Sequence, residues 1–361
     1  MAEKKETVVT TTITTTKTTT TVKEKCGWKS FSTIKKVLLI LLVAILTAIA
    51  LVIIFFGRAH IKGHGMEDAY QENSTVCFSR YSSPDVNDVI LYRHPEADSI
   101  VPSSPDKNYY KSCRLYGQSW CNKSEVVFQG KKRRPICASR VAGMPGEVIC
   151  INEGVPCKVA GGKAVPLAQD ANVKEVYVIG SNSYFTPSVL DSLGITKAGM
   201  SCDELDNDQI LGFYRHRAPQ GCYLAVYALS ASQVESLKSL SMVSFLEKVV
   251  LPQEHFDQTV FPYVEARHFN FSYMTPMVVP AKGKVLKLDI NNLPIYRRCI
   301  EVYEGNSIEV SGNTISINGK ESASYRFKRD YYFVINDNRA STDDSRYFGF
   351  LPSNYVVGVV K

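Results

Sequence analysis

The densest run of chemically capable side chains lies near the end of the sequence, Asn336-Asp-Asn-Arg-Ala-Ser-Thr-Asp-Asp-Ser-Arg346. An apolar, β-rich run from Tyr331 to Ile335 feeds it, and the aromatic stretch Tyr347-Phe-Gly-Phe350 closes it. Short Asp, Asn and Ser side chains bond nearby backbone, so this reads as a strand entering a hydrogen-bonded loop. A second run, Arg140-Val-Ala-Gly-Met-Pro-Gly-Glu147, reads as strand and tight turn, with Gly143, Pro145 and Gly146 supplying the turn chemistry. Ser139 stands just before it. A serine hydroxyl attacks a carbonyl only with an adjacent base, and no Lys or His neighbours Ser139 in sequence. His64 reads as a surface residue rather than that base. The ten cysteines include no Cys-x-x-Cys spacing and the six histidines form no ligand cluster, so neither a metal nor a cofactor is expected.

The elements that must position these residues divide the chain. Eleven of the fifteen residues from Thr7 to Thr21 are threonine, with no helical period, and residues 1–36 are expected to form a disordered tail. Val37 to Phe56 is twenty residues without a charge, with Thr47 its one polar side chain. As a helix it spans about 30 Å, the thickness of a hydrocarbon core. Lys23, Lys25, Lys29, Lys35 and Lys36 precede it and only Arg58 and Lys62 follow closely. The positive-inside rule then places the tail in the cytoplasm and the remainder outside. Phe55-Phe56-Gly57-Arg58 offers no small-x-small cleavage site, which favours an uncleaved anchor over a removed signal peptide.

Beyond the anchor, short β-rich runs alternate with Gly, Pro, Asn and Asp breaks, as in Val86-Asn-Asp-Val-Ile-Leu-Tyr-Arg93 and Val310 to Lys320. The segment from Ser230 to Leu240 has helical spacing, and Cys222 to Tyr227 and Val243 to Val250 flank it as strands. The expected class is mainly β, with an α/β insertion over residues 155–262 and the β domain formed by 57–154 and 263–361. A net charge of +7, much of it before the membrane segment, carries no nucleic-acid footprint. Nine cysteines follow the anchor, an odd number, so at least one thiol there stays free or pairs between chains. Cys113 and Cys121 bracket a short loop containing Gly117 and are the expected disulfide in an oxidising compartment, with Cys202 and Cys222 a second candidate.

The C-terminal loop resembles the last motif of bacterial type I signal peptidases, Gly-Asp-Asn-Arg, then Ser, then Asp-Ser-Arg, then Trp-Gly. Asp337, Asn338, Arg339, Asp344, Ser345, Arg346 and Gly349 match, while Asn336, Thr342 and Phe348 replace Gly, Ser and Trp. Arg140 to Glu147 is similar to that family's Lys-Arg-x-x-Gly-Leu-Pro-Gly-Asp and places Ser139 where the lysine belongs. Ile61-Lys-Gly-His-Gly-Met-Glu-Asp-Ala-Tyr70 follows the anchor as Ser-x-Ser-Met-x-Pro-Thr does in the family, through Met66 and Glu67. It puts Gly65 at the nucleophile and Gly63 at the oxyanion serine. Phe261-Pro, Pro276 to Gly283 and Tyr303-Glu-Gly-Asn306 resemble segments of the longer signal peptidases of Bacteroidota.

The resemblance implies a signal peptidase I-like β-fold behind one transmembrane helix, in the cytoplasmic membrane with its main domain outside. It implies signal peptides of secreted preproteins as partners, with the secretion machinery nearby. In the family a serine attacks and a lysine, its pKa lowered by burial, serves as base. Neither is present here. Thr342, Asp344 and Arg346 keep the places that support the site. Met66, Arg140, Val141 and Ala142 fall where an extended peptide would lie. The expectation is therefore an inactive homologue that binds signal peptides; an active serine endopeptidase with a rewired or misaligned site is the alternative.

Overall fold

The computed structural model describes residues 8–14, 17–23, 33–67, 69–103, 108–116, 126–195 and 205–361. It divides into two compact units, Met1–Phe56 and Gly57–Lys361. In the first, β1 (Val8–Thr14) pairs antiparallel with β2 (Lys17–Lys23), followed by α1 (Thr33–Phe55). Residues 8–14 and 17–23 of the tail thus form strands where disorder is expected, and residues 1–7, 15–16 and 24–32 lie outside the described residues. β-branched residues favour extended backbone, and two such runs in register close a ladder. Lys35–Phe55 is long and apolar enough to cross a membrane, and none of it is buried.

In the second unit β3 (Phe56–His60), β4 (Thr75–Ser79) and β5 (Val89–Arg93) lead to β6 (Ile136–Gly143). β7 (Val148–Asn152), β8 (Val155–Ala160) and β9 (Lys163–Pro166) form consecutive hairpins. β10 (Glu175–Ser181), β11 (Tyr223–Leu229) and β12 (Val243–Lys248) make a sheet of their own, ordered β11-β10-β12. β13 (Tyr273–Val278) returns to pair with β7. β14 (Tyr331–Ile335), β15 (Leu351–Pro352) and β16 (Val356–Val360) complete a seven-stranded sheet, ordered β15-β14-β6-β5-β16-β4-β3.

β5 and β6 lie in the middle of that sheet and are covered on both faces, which explains their nearly continuous apolar sequence. Ile90, Tyr92, Cys137 and Val141 enter one core with Val334 and Phe348, while Leu91 and Ala138 enter another with Ile61, Met66 and Phe78. Each large apolar side chain so buried contributes about 1.5–3 kcal/mol. A third and larger core joins β7, β13 and β14 through Ile149, Met277, Phe333 and Phe350.

The insertion begins later than expected. Residues 155–166 continue the β7 sheet, so the α/β unit starts at β10. Its central strand alternates between two covered faces: Val176 and Val178 face Ile210 and Tyr214, and Ile179 faces Leu190 and Leu237. The helix Ala231–Lys238 starts at a capping box of Ser230 and Gln233. Ala340, from the C-terminal loop, is part of this unit's core, which seats the insertion on that loop.

Candidate active site

The loop after β14 is held by its own side chains. Asp344 accepts the Asn336 N–H at 3.0 Å and the Arg346 N–H at 2.9 Å, and caps the short helix Ser345–Phe348. The Arg346 guanidinium donates to both Asp344 oxygens, to Arg339 O at 2.9 Å and to Ser341 O at 3.0 Å. Both members of this ion pair are buried. Burial by itself would lower the Arg346 pKa, but Asp344 outweighs it and holds the guanidinium charged. Arg339, also buried but without a close carboxylate hydrogen bond, is lowered to about 10 by desolvation. Gly349 follows at φ 80°, and a Cβ there would meet the Phe261 ring. Thr342 is buried in the same loop.

β6 and the segment after β3 bring the remaining residues to this loop. Arg140 forks onto Asp337 at 2.9 and 2.6 Å and donates to Asn87 O. Gly65 O accepts the Asn338 N–H at 2.9 Å, and the Met66 sulfur accepts the Asp337 N–H at 3.4 Å. Lys174, just before the insertion, brackets the loop from the other side, donating its N–H to Asp337 O and accepting that of Arg339. Gly65, Ser139 and the C-terminal loop are therefore neighbours, although 65, 139 and 336 are far apart in sequence.

What lies between Gly65 and Ser139 is the Asn336 side chain. Ser139 Oγ donates to Asn336 Oδ1 at 2.6 Å, Asn336 Nδ2 donates to Ser341 Oγ at 3.1 Å, and the Tyr92 hydroxyl is 2.9 Å from Ser139 Oγ. A Cβ added at Gly65 would lie closer than 3.0 Å to three atoms of the Asn336 amide, Oδ1 among them at 2.6 Å. The volume that a side chain at 65 would use is filled. Ser139 has no base within this chain of bonds: an amide does not take a proton at neutral pH, and burial pushes the Tyr92 phenol well above its ordinary value. His64 is half-exposed and turned to Glu67 and Glu72, 3.6 Å from each. Gly63 lies in open space at φ 91°.

The expected peptide-binding residues have mostly gone into the cores. Met66, Val141 and Ala142 are buried, and Arg140 is committed to Asp337. β6 is also paired on both sides, with β5 along its length and with β14 at Arg140, Val141 and Gly143. Val141 bonds towards the β5 side, so by alternation Ala138 points its N–H and C=O the other way. There Lys62 N–H already reaches Ile136 O at 2.8 Å. The outward main-chain groups of Ala138 lie between this contact and the β14 pairing at Arg140, and Ala138 itself is buried in the core with Ile61 and Met66. Tyr92, Ser341 and the filling role of Asn336 were missed in sequence; the signal was the pairing of an enlarged 336 with a bare 65. Among the described residues no group of His, Cys, Asp and Glu could hold a metal. Cys113 and Cys222 are free thiols, while their expected partners Cys121 and Cys202 lie outside the described residues.

The family model described as signal peptidase, peptidase S26, matches residues 34–175 and 281–361. The chain belongs to the signal peptidase family. The match covers the apolar helix, the Gly65 and Ser139 segments and the C-terminal loop, and it breaks across the α/β insertion. No curated protein matches the chain. The family's members remove signal peptides from preproteins and are membrane-associated, which agrees with the apolar helix Lys35–Phe55.

Proposed function

We propose that this signal peptidase homologue does not cut, and that it holds the signal-peptide region of preproteins in a reduced groove on the outer side of the membrane. The observation that carries this reading is the Asn336 amide, bonded to Ser139 and filling the space beside Gly65. A peptidase of this family needs a hydroxyl and a neutral amine there; this chain has a glycine, a serine and an amide. Ser139 is bonded to Tyr92 and Asn336, neither of which accepts its proton at neutral pH, so it does not replace the missing pair. Asp344 and Arg346 are retained because they fold the loop, a need that outlasts catalysis. The anchor's flanking lysines support a cytoplasmic N-terminus and an outer main domain.

Strand addition needs only main-chain groups, so it survives loss of the catalytic side chains. The groove floor is Ala138 of β6 facing Gly63, His64 and Gly65. Because few main-chain groups remain open, affinity is modest; micromolar binding corresponds to about −8 kcal/mol. The test is titration of a fluorescent signal-peptide fragment into full-length protein in detergent, beside the same peptide N-methylated at alternate amides. Saturable binding of the first and loss with the second supports strand addition. No binding of either up to millimolar peptide, in protein shown to be folded, removes the binding role.

A further inference from the structure

We propose that Cys150 and Cys157 are a disulfide-forming pair that staples the β7–β8 hairpin. The two residues stand opposite each other in the antiparallel ladder. Opposed residues project to one face with Cα atoms about 4.5–5.5 Å apart, inside the ~4.4–6.8 Å that a disulfide spans. Both side chains are buried, at 6% and 3% exposure, and the Cys157 thiol donates to Val155 O of its own hairpin at 3.4 Å. The register is fixed by the turn: Asn152 pairs with Val155 across Glu153 at φ 50° and Gly154 at φ 79°, a two-residue connection of the kind that matches strand twist. The sulfurs are thereby kept together in the thiol state. Cys137 and Cys299 are buried in separate cores, and Cys77 is exposed on β4.

Cys150, although little exposed, lines an open cleft of about 640 Å³ bounded by Ala164, Arg267, His268 and Tyr273, the side from which a small molecule would reach it. The co-reactant is a low-molecular-weight disulfide. One cysteine thiolate attacks a sulfur of it, forming a mixed disulfide and releasing one thiol. The second thiolate attacks the protein sulfur of that mixed disulfide and releases the other. The pair loses two protons and two electrons, and the oxidant becomes two thiols. β7 continues from the turn that leaves β6, and β8 otherwise shares its second edge only with the exposed β9. A bond between Cys150 and Cys157 therefore fixes the strand that follows β6 in the chain, and it does so whether or not signal peptides bind.

The experiment equilibrates full-length protein in detergent with glutathione buffers of rising oxidised fraction, blocks remaining thiols with N-ethylmaleimide and maps the peptides. The expected result is a linked Cys150–Cys157 peptide that appears as alkylation of both residues is lost together, with Cys299 still alkylatable after denaturation. The oxidised protein should melt at a higher temperature than the reduced one. Cys150 and Cys157 that stay alkylatable in folded protein at the most oxidising buffer, or that each end as a glutathione mixed disulfide, would overturn the proposal.

Discussion

Gly65→Ala is the smallest change that tests how the site is filled. The new methyl would collide with the Asn336 amide, which is tied to Ser139 Oγ at 2.6 Å and Ser341 Oγ at 3.1 Å. To make room the amide must leave both partners, and each buried polar group left unpaired costs about 1–3 kcal/mol. A destabilisation of roughly 2–4 kcal/mol is expected, a large part of the ~5–15 kcal/mol that a folded protein commands. The backbone at 65 is not among the positive-φ positions, so strain of that kind does not contribute. Asn336→Ala alone should cost about 1–3 kcal/mol, because Ser139 keeps Tyr92 while Ser341 keeps only the long Asp343 N–H contact at 3.5 Å. In the double variant the methyl enters vacated space, so its cost should fall below the sum of the singles by about 1–3 kcal/mol. Urea unfolding of the full-length proteins, followed by circular dichroism, measures all three. Additivity within about 0.5 kcal/mol would refute the filling role of Asn336.

Three further outcomes are expected. Asp344→Asn leaves the Arg346 guanidinium buried without its carboxylate and should cost about 3–5 kcal/mol in the same unfolding assay. Burial holds the His94 imidazole below its usual 6.5, with Asp343 and Glu96 opposing and Arg114 and Lys111 reinforcing. The unfolded chain therefore binds that proton first: stability is complete above about pH 6.5 and falls as the pH drops below it, and His94→Gln should flatten this slope. Glu96 and Asp343 are desolvated, yet Arg114 and Lys111 respectively hold their pKa values down, so both add a second loss at lower pH, as the carboxylates protonate. Exposed Cys77 should react with a membrane-impermeant maleimide in intact cells or spheroplasts if the main domain lies outside, and peptide mapping locates the label.

Much of this was legible because spacing survives substitution. Gly143, Pro145 and Gly146 mark the turn after β6, and Asp344 and Arg346 mark a self-bonded loop, whatever stands at 139. Twenty uncharged residues likewise announce a membrane-length helix. Which groove residues stay accessible is not legible because a strand's sequence does not say which of its edges are paired: Val141 reads equally as groove wall or core, and β14 pairs with it. The insertion's start was set too early because the Asn152 to Val155 hairpin looks like any Gly-containing break until β8 is seen continuing the β7 sheet. In the sequence Asn336 is one departure from a motif and Gly65 another. That one residue fills the space of the other is a fact of three-dimensional contact, which the two departures signal only when taken together.

A site with a glycine, a serine and an amide in place of a hydroxyl and an amine should not cut, and incubation of purified full-length protein with a secretory precursor decides it. The precursor should stay intact, with no mature product above a protein-free control. A mature product formed by the purified protein and lost in Ser139→Ala would contradict it and make Ser139 a working nucleophile.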